Sequence, residues 1–209
     1  MRDVISTNIK IGVFLLAAAA SIAFYIVTYP SVHPEAALHI SVSRAEAVEI
    51  AREAVERQGI DLSGYRRAVR FKTDYNTKSF LEKEFGLGVA NDLMGDEIRT
   101  WYWWVRWFIP EQEEEFGAAV DPSGRLVYYS HYVEEDRAEE SVDAERAEEL
   151  ALEFLEMNTS LDLEGYELIS TREIELPNRV QHKFVWKLSD LNLGDAEYKV
   201  SVNIEGSRD

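Results

Sequence analysis

One phrase occurs twice, 100 residues apart: Ser-Val-Ser-Arg-Ala-Glu-Ala at 41–47 and Ser-Val-Asp-Ala-Glu-Arg-Ala at 141–147. Each opens an amphipathic helix. Ala47, Ile50, Ala51, Ala54 and Val55 fall at i, i+3, i+4, i+7 and i+8, and Ala147, Leu150, Ala151, Phe154 and Leu155 repeat that stripe. Ser43 with Glu46 has the spacing of a capping box, Asp143 is the matching cap in the second copy, and Gly59 suits the left-handed end of the first helix. A chain doubled in this way must build one unit twice.

The repetition continues after the helices. Ile60-Asp61-Leu62-Ser63-Gly64-Tyr65 matches Leu161-Asp162-Leu163-Glu164-Gly165-Tyr166, now at an offset of 101. Further on the offset drops to 82, where Trp104 aligns with Trp186, Phe116 with Tyr198, Val120 with Val202 and Gly124 with Gly206. The drop implies 19 extra residues in the first copy, within about 76–97, where the apolar spacing predicts one or two short helices around Gly86 and Gly88. Alternation predicts strands at about 65–74, 98–109, 115–121 and 125–133, with Asp121-Pro122-Ser123-Gly124 as the last turn. The expectation is an α+β fold in which each repeat packs a helix on an antiparallel sheet. The repeats span 41–136 and 137–209, and the second lacks a counterpart of the final strand. Each copy is small for a core of its own, so the two are expected to pack together.

Before the repeats, the 19 residues Ile11–Tyr29 carry no charge. At about 1.5 Å per residue such a run just spans a hydrocarbon core of roughly 30 Å. Arg2 and Lys10 precede it and no Lys or Arg follows until Arg44, so the positive-inside rule puts residues 1–10 in the cytoplasm and the rest outside. The linker is 30–40, with Tyr25 and Tyr29 at the far interface and Pro30 stopping the helix. A cleaved signal peptide and a buried core helix are the competing readings; the first usually has an apolar stretch of about 7–15 residues.

Composition removes several functions. With 22 Lys+Arg against 39 Asp+Glu the net charge is −17, which argues against nucleic acid. There is no cysteine, hence no disulfide, thiolate metal site or cysteine nucleophile. No G-x-S-x-G elbow or P-loop is present, and Gly86-x-Gly88 lacks the third glycine of a dinucleotide loop. His33, His39, His131 and His182 form no H-x-x-x-H pair. Asp190, Asn192 and Asp195 suggest a calcium loop, but Asp195 stands where an EF-hand needs glycine and Ser201 where it needs glutamate. No cofactor and no metal is expected. The acidic runs 111–115 and 134–140 read as solvated loops.

The tract Trp101–Phe108 is aromatic on both faces of a strand, 101, 103, 105 and 107 on one and 102, 104, 106 and 108 on the other. One face packs under a helix. The other is either covered within the protein or open to a partner. Candidate partner contacts are Trp101, Trp103, Arg106 and Trp107, with Asn178, Arg179 and His182 from the second copy. The bland reading of His182 is a hydrogen bond within the sheet.

Several phrases in order resemble one known region: Ser43-Arg44-Ala45-Glu46-Ala47, Asp61-Leu62-Ser63-Gly64-Tyr65, Trp103–Phe108, and Pro177-Asn178-Arg179 followed by His182, Phe184 and Trp186. They are similar to the N-terminal extracytoplasmic region of bacterial CPBP-type intramembrane metalloproteases, relatives of the CAAX-prenyl proteases. The resemblance runs from about Ile40 onward. It implies tandem PepSY-like modules after a first membrane helix, outside a bacterial cytoplasmic membrane. The catalytic residues of that family lie in later membrane helices, with an EExxxR motif. Here Glu148-Glu149 has no arginine four residues on, so no catalytic residue carries over. The resemblance therefore implies a non-catalytic binding or regulatory module, with the bilayer and a multi-span membrane protease as partners. Two alternatives stay open: the N-terminal part of a full-length protease, and a cell-envelope ligand sensor.

Overall fold

The computed structural model describes residues 2–33, 35–134, 137–138 and 140–205, without the side chains of residues 2–8, 30 and 96. Four expectations from the sequence fall on residues or side chains outside them: the Arg2 charge, the Gly206 match, the tail 206–209, and residues 135, 136 and 139 of the second acidic run. The fold is α+β, with one apolar N-terminal helix and two antiparallel sheets. Two compact units divide it, one holding 1–39 and 73–100, the other 40–72 and 101–209. The insertion thus groups with the N-terminal helix, and both repeats share the second unit.

In the first unit, α1 is Arg2–Val32. It passes through Pro30 instead of stopping there. A proline removes only one bond of the ladder, that of its missing N–H to the carbonyl four residues before it. Its apolar part, Ile9–Tyr29, is long enough to cross a membrane. The insertion is α3, Tyr75–Asp96, begun by Asp74, whose side chain accepts from the Asn76 and Thr77 N–H groups. Gly86 interrupts it at φ 75°, ψ 161°, giving the expected pair of helical pieces. That conformation is essentially restricted to glycine. The α1 end meets α3 through the Asn91 side chain, which donates to the His33 carbonyl at 2.9 Å.

In the second unit, α2 (Arg44–Glu56) lies on a sheet ordered β1-β2-β3-β4: Arg66–Thr73, Trp101–Phe108, Glu115–Val120 and Leu126–Tyr132. The Ser43–Glu46 capping box is formed. Gly59 turns the chain at φ 77°, donating to the Glu56 carbonyl. Ala47, Ala51, Ala54 and Val55 are buried against Val105, Trp107, Phe116, Ala118 and Val120. Small residues on the helix let it sit close to large ones on the sheet. The last turn forms as the spacing predicts, with the Gly124 N–H bonded to the Asp121 carbonyl at 3.0 Å.

The second layer has the same order. Helix α4 (Ala144–Asn158), capped by Asp143, precedes a sheet ordered β5-β6-β7: Tyr166–Glu175, Val180–Leu188 and Lys199–Glu205. Ala147, Ala151 and Leu155 pack on Phe184 and Trp186. The layers touch where Tyr129 meets Phe154, ring centroids 5.2 Å apart, and where Arg57 donates to the Met157 carbonyl at 2.7 Å.

One correspondence is corrected. Val120 pairs with Trp103 and Val202 pairs with Phe184, so β2 and β6 align at an offset of 81, although β3 and β7 keep 82. Trp186 is in the core and matches Val105. Trp104 lies on the opposite face of its sheet. A slip of one residue exchanges the faces of a strand, and the loop after β6 absorbs the extra residue.

Candidate functional site

The face of the first sheet turned away from α2 carries the candidate site. Alternation places Arg66, Arg70 and Lys72 of β1 there, with Tyr102, Trp104, Arg106 and Phe108 of β2, Gly117 of β3, and Tyr128 and Tyr132 of β4. Trp104 is its centre. Lys72 Nζ stands 4.6 Å from the Trp104 ring centroid, close enough for cation–π attraction. The Tyr128 ring is 4.9 Å from the same centroid, tilted by 46°.

Gly117 makes room for this arrangement. A Cβ there would lie 3.2 Å from two Trp104 ring atoms and 2.7 Å from Ser130 Oγ. Glycine inside a strand marks close approach by a neighbour, here the indole. Next to it Arg106 pairs with Glu115, its Nε 2.7 Å from Oε2, and its guanidinium lies 4.8 Å above the Phe108 ring. Tyr128 and Tyr132 are 48% and 65% exposed. In a chain of net charge −17, this face gathers four basic side chains, one of them paired with Glu115, beside the tilted Trp104 and Tyr128 rings. Such a surface suits a partner that presents acidic groups beside apolar or planar ones.

A second cluster lies at the end of the sheet. Glu114 Oε1 is 2.7 Å from His131 Nε2 and accepts from Arg137 at 3.1 Å, while Tyr65 donates to Oε2 at 3.4 Å. Burial pushes the Glu114 carboxyl up, but His131 and Arg137 pull it below the ordinary range. Burial and the Glu114 charge raise the Tyr65 phenol. The acidic run 111–115 is thus not simply solvated, since Glu114 and Glu115 are both paired.

The residues singled out from the sequence scatter. Trp101 and Trp107 are 4% and 3% exposed and lie inside the protein, so neither is offered to a partner. Trp103 shares their side of the strand, half-buried against Phe71 at 4.8 Å. The strand was placed correctly, but the helix covers its 105 and 107 side. Arg106 is on the open face. Arg179 ties β7 to the segment between β4 and α4, donating to Glu205 at 2.8 Å and to the Glu134 and Arg137 carbonyls at 3.2 Å. Asn178 is in the preceding turn. His182 is buried and its Nε2 donates at 2.9 Å to the Val142 carbonyl ahead of α4, not within the sheet. Among the described residues, no three acidic or histidine side chains gather as a metal site. The Asp190–Asp195 segment is a turn in which Asn192 accepts from the Gly194 N–H.

Lys72, Trp104 and Tyr128 do not stand out as contacts in the sequence. Gly117 in mid-strand was the available signal. No family model, curated protein or solved structure matches this chain.

Proposed function

We propose that the chain is a membrane-anchored, extracytoplasmic binding module that regulates a CPBP-type intramembrane protease, its two layers being PepSY-like repeats. The reading rests chiefly on the basic aromatic face around Trp104, presented by a rigid sheet. It draws support from the 21-residue apolar stretch Ile9–Tyr29 and from two helix-on-sheet layers in one unit. Binding surfaces held by regular strands need little ordering when a partner docks. On this reading α1 keeps the module at the outer surface of a bacterial cytoplasmic membrane, and the partner's outer loops meet the Trp104 face.

The test is affinity purification of the tagged full chain from mild-detergent extracts, beside the Lys72→Glu/Trp104→Ala double variant. The expected result is a multi-span membrane metalloprotease with the wild type, reduced at least fivefold with the variant. Recovery of no such protein, or equal recovery by both, overturns the proposal.

A second reading, a cell-envelope ligand sensor, uses the same exposed rings. It predicts that an anionic envelope metabolite or peptide quenches Trp104 fluorescence. Trp104→Phe should abolish the change.

A further inference from the structure

The outer edge of β7 is self-complementary. The strand reads Lys199-Val200-Ser201-Val202-Asn203-Ile204-Glu205. Among the described residues its other edge pairs with β6 and this edge pairs with nothing. The equivalent strand of the first layer, β3, has β4 on that side. The core-facing positions register the difference. Phe116, Ala118 and Val120 of β3 are 1%, 0% and 0% exposed, whereas Val200, Val202 and Ile204 are only half-buried. Unpaired edge amides and half-covered aliphatic side chains are the features that strand addition satisfies.

We infer that β7 pairs antiparallel with β7 of a second copy, about a two-fold axis through Val202. In that register Val202 faces Val202, Val200 faces Ile204 and Ser201 faces Asn203. Lys199 of each copy faces Glu205 of the other, so both ends carry opposite charges. Directly opposed pairs lie about 4.5–5.5 Å apart, and opposite charges there are favourable. Lys199 already meets Glu197 at 2.6 Å, and Glu205 meets Arg179 at 2.8 Å. An ammonium has three donors and a carboxylate about four acceptor positions, so both groups retain capacity.

The helices fit this pairing. Helix α4 packs on both β6 and β7. With strands about 4.8 Å apart, a helix above that seam lies about one strand spacing from the axis. The two α4 helices then run about 10 Å apart, the upper end of ordinary helix packing. The result is a six-stranded sheet covered by two helices, which buries Val200, Val202 and Ile204 as β4 buries their counterparts.

The chain contains no cysteine, so single-cysteine variants read the register cleanly. In the full chain in detergent micelles, Val202→Cys should form a disulfide-linked dimer under mild oxidation. Ser201→Cys alone and Asn203→Cys alone should not, whereas their mixture should cross-link to each other. Light scattering on the unmodified chain should give a dimer, and Lys199→Glu should weaken it about tenfold by turning two attractive pairs repulsive. Equal cross-linking at all three positions, or a monomer whose outward-pointing β7 amides are unprotected in hydrogen exchange, overturns the inference. A monomer in which those outward amides are protected also overturns it, since a strand of the same polypeptide then covers the edge.

Discussion

Asp121 is 1% exposed, and its carboxylate braces the β3–β4 turn alongside the backbone hydrogen bonds that close it. Oδ1 accepts from the Ser123 and Arg125 N–H groups and from the Ser123 hydroxyl, and Oδ2 accepts from the Arg125 guanidinium at 2.8 Å. Burial pushes its carboxyl up, but these donors and the Arg125 charge bring it below the ordinary range. Asp121→Asn replaces one acceptor oxygen with a donor facing donors and should cost about 1–3 kcal/mol in urea denaturation at pH 7. Because the folded-state carboxyl titrates lower than the unfolded one, its stabilisation is complete above the unfolded value and fades as the pH falls through the folded one. The gap between wild type and variant should therefore shrink below about pH 4. A gap independent of pH would show that the charge contributes nothing. At Gly117, the valine variant should displace the Trp104 ring, seen as a changed near-ultraviolet dichroism with secondary structure retained.

At the scale of elements, both helices start where polar caps precede an apolar stripe, and the strands fall within a few residues of their sequence boundaries. These features were legible because cap chemistry and alternation act locally. Which face of β2 is covered was not legible. Trp101, Trp103 and Trp107 balance Tyr102, Trp104 and Phe108 in apolar character, and only the position of α2 decides between them. The outward direction of Tyr128 was hidden too, because the register shifts between Ala119 and Val120 and alternation cannot be carried across it. Ser43→Ala and Asp143→Ala should each cost about 1 kcal/mol by loss of the cap. Additivity of the two in urea denaturation is the check, since the caps belong to separate layers. Gly86→Ala should be more damaging, about 1–3 kcal/mol, because alanine must adopt a glycine-only conformation inside α3.

At the scale of the whole molecule, one apolar helix long enough to cross a membrane precedes a doubled α+β module with one basic, aromatic face. The doubling was visible because sequence phrases persist. The grouping of the insertion with α1 was not, since it depends on contacts such as Asn91 with His33 that no local pattern encodes. Every functional reading depends on the module standing outside the membrane on an uncleaved helix. The most direct measurement is protease treatment of intact spheroplasts, followed by alkaline carbonate extraction of the membranes. The account predicts that the untreated chain stays in the carbonate-washed pellet at full mass. External protease should leave only an N-terminal piece ending shortly after Val32. Release by carbonate, a mature chain lacking its first 30 or so residues, or a module protected in sealed spheroplasts would contradict it.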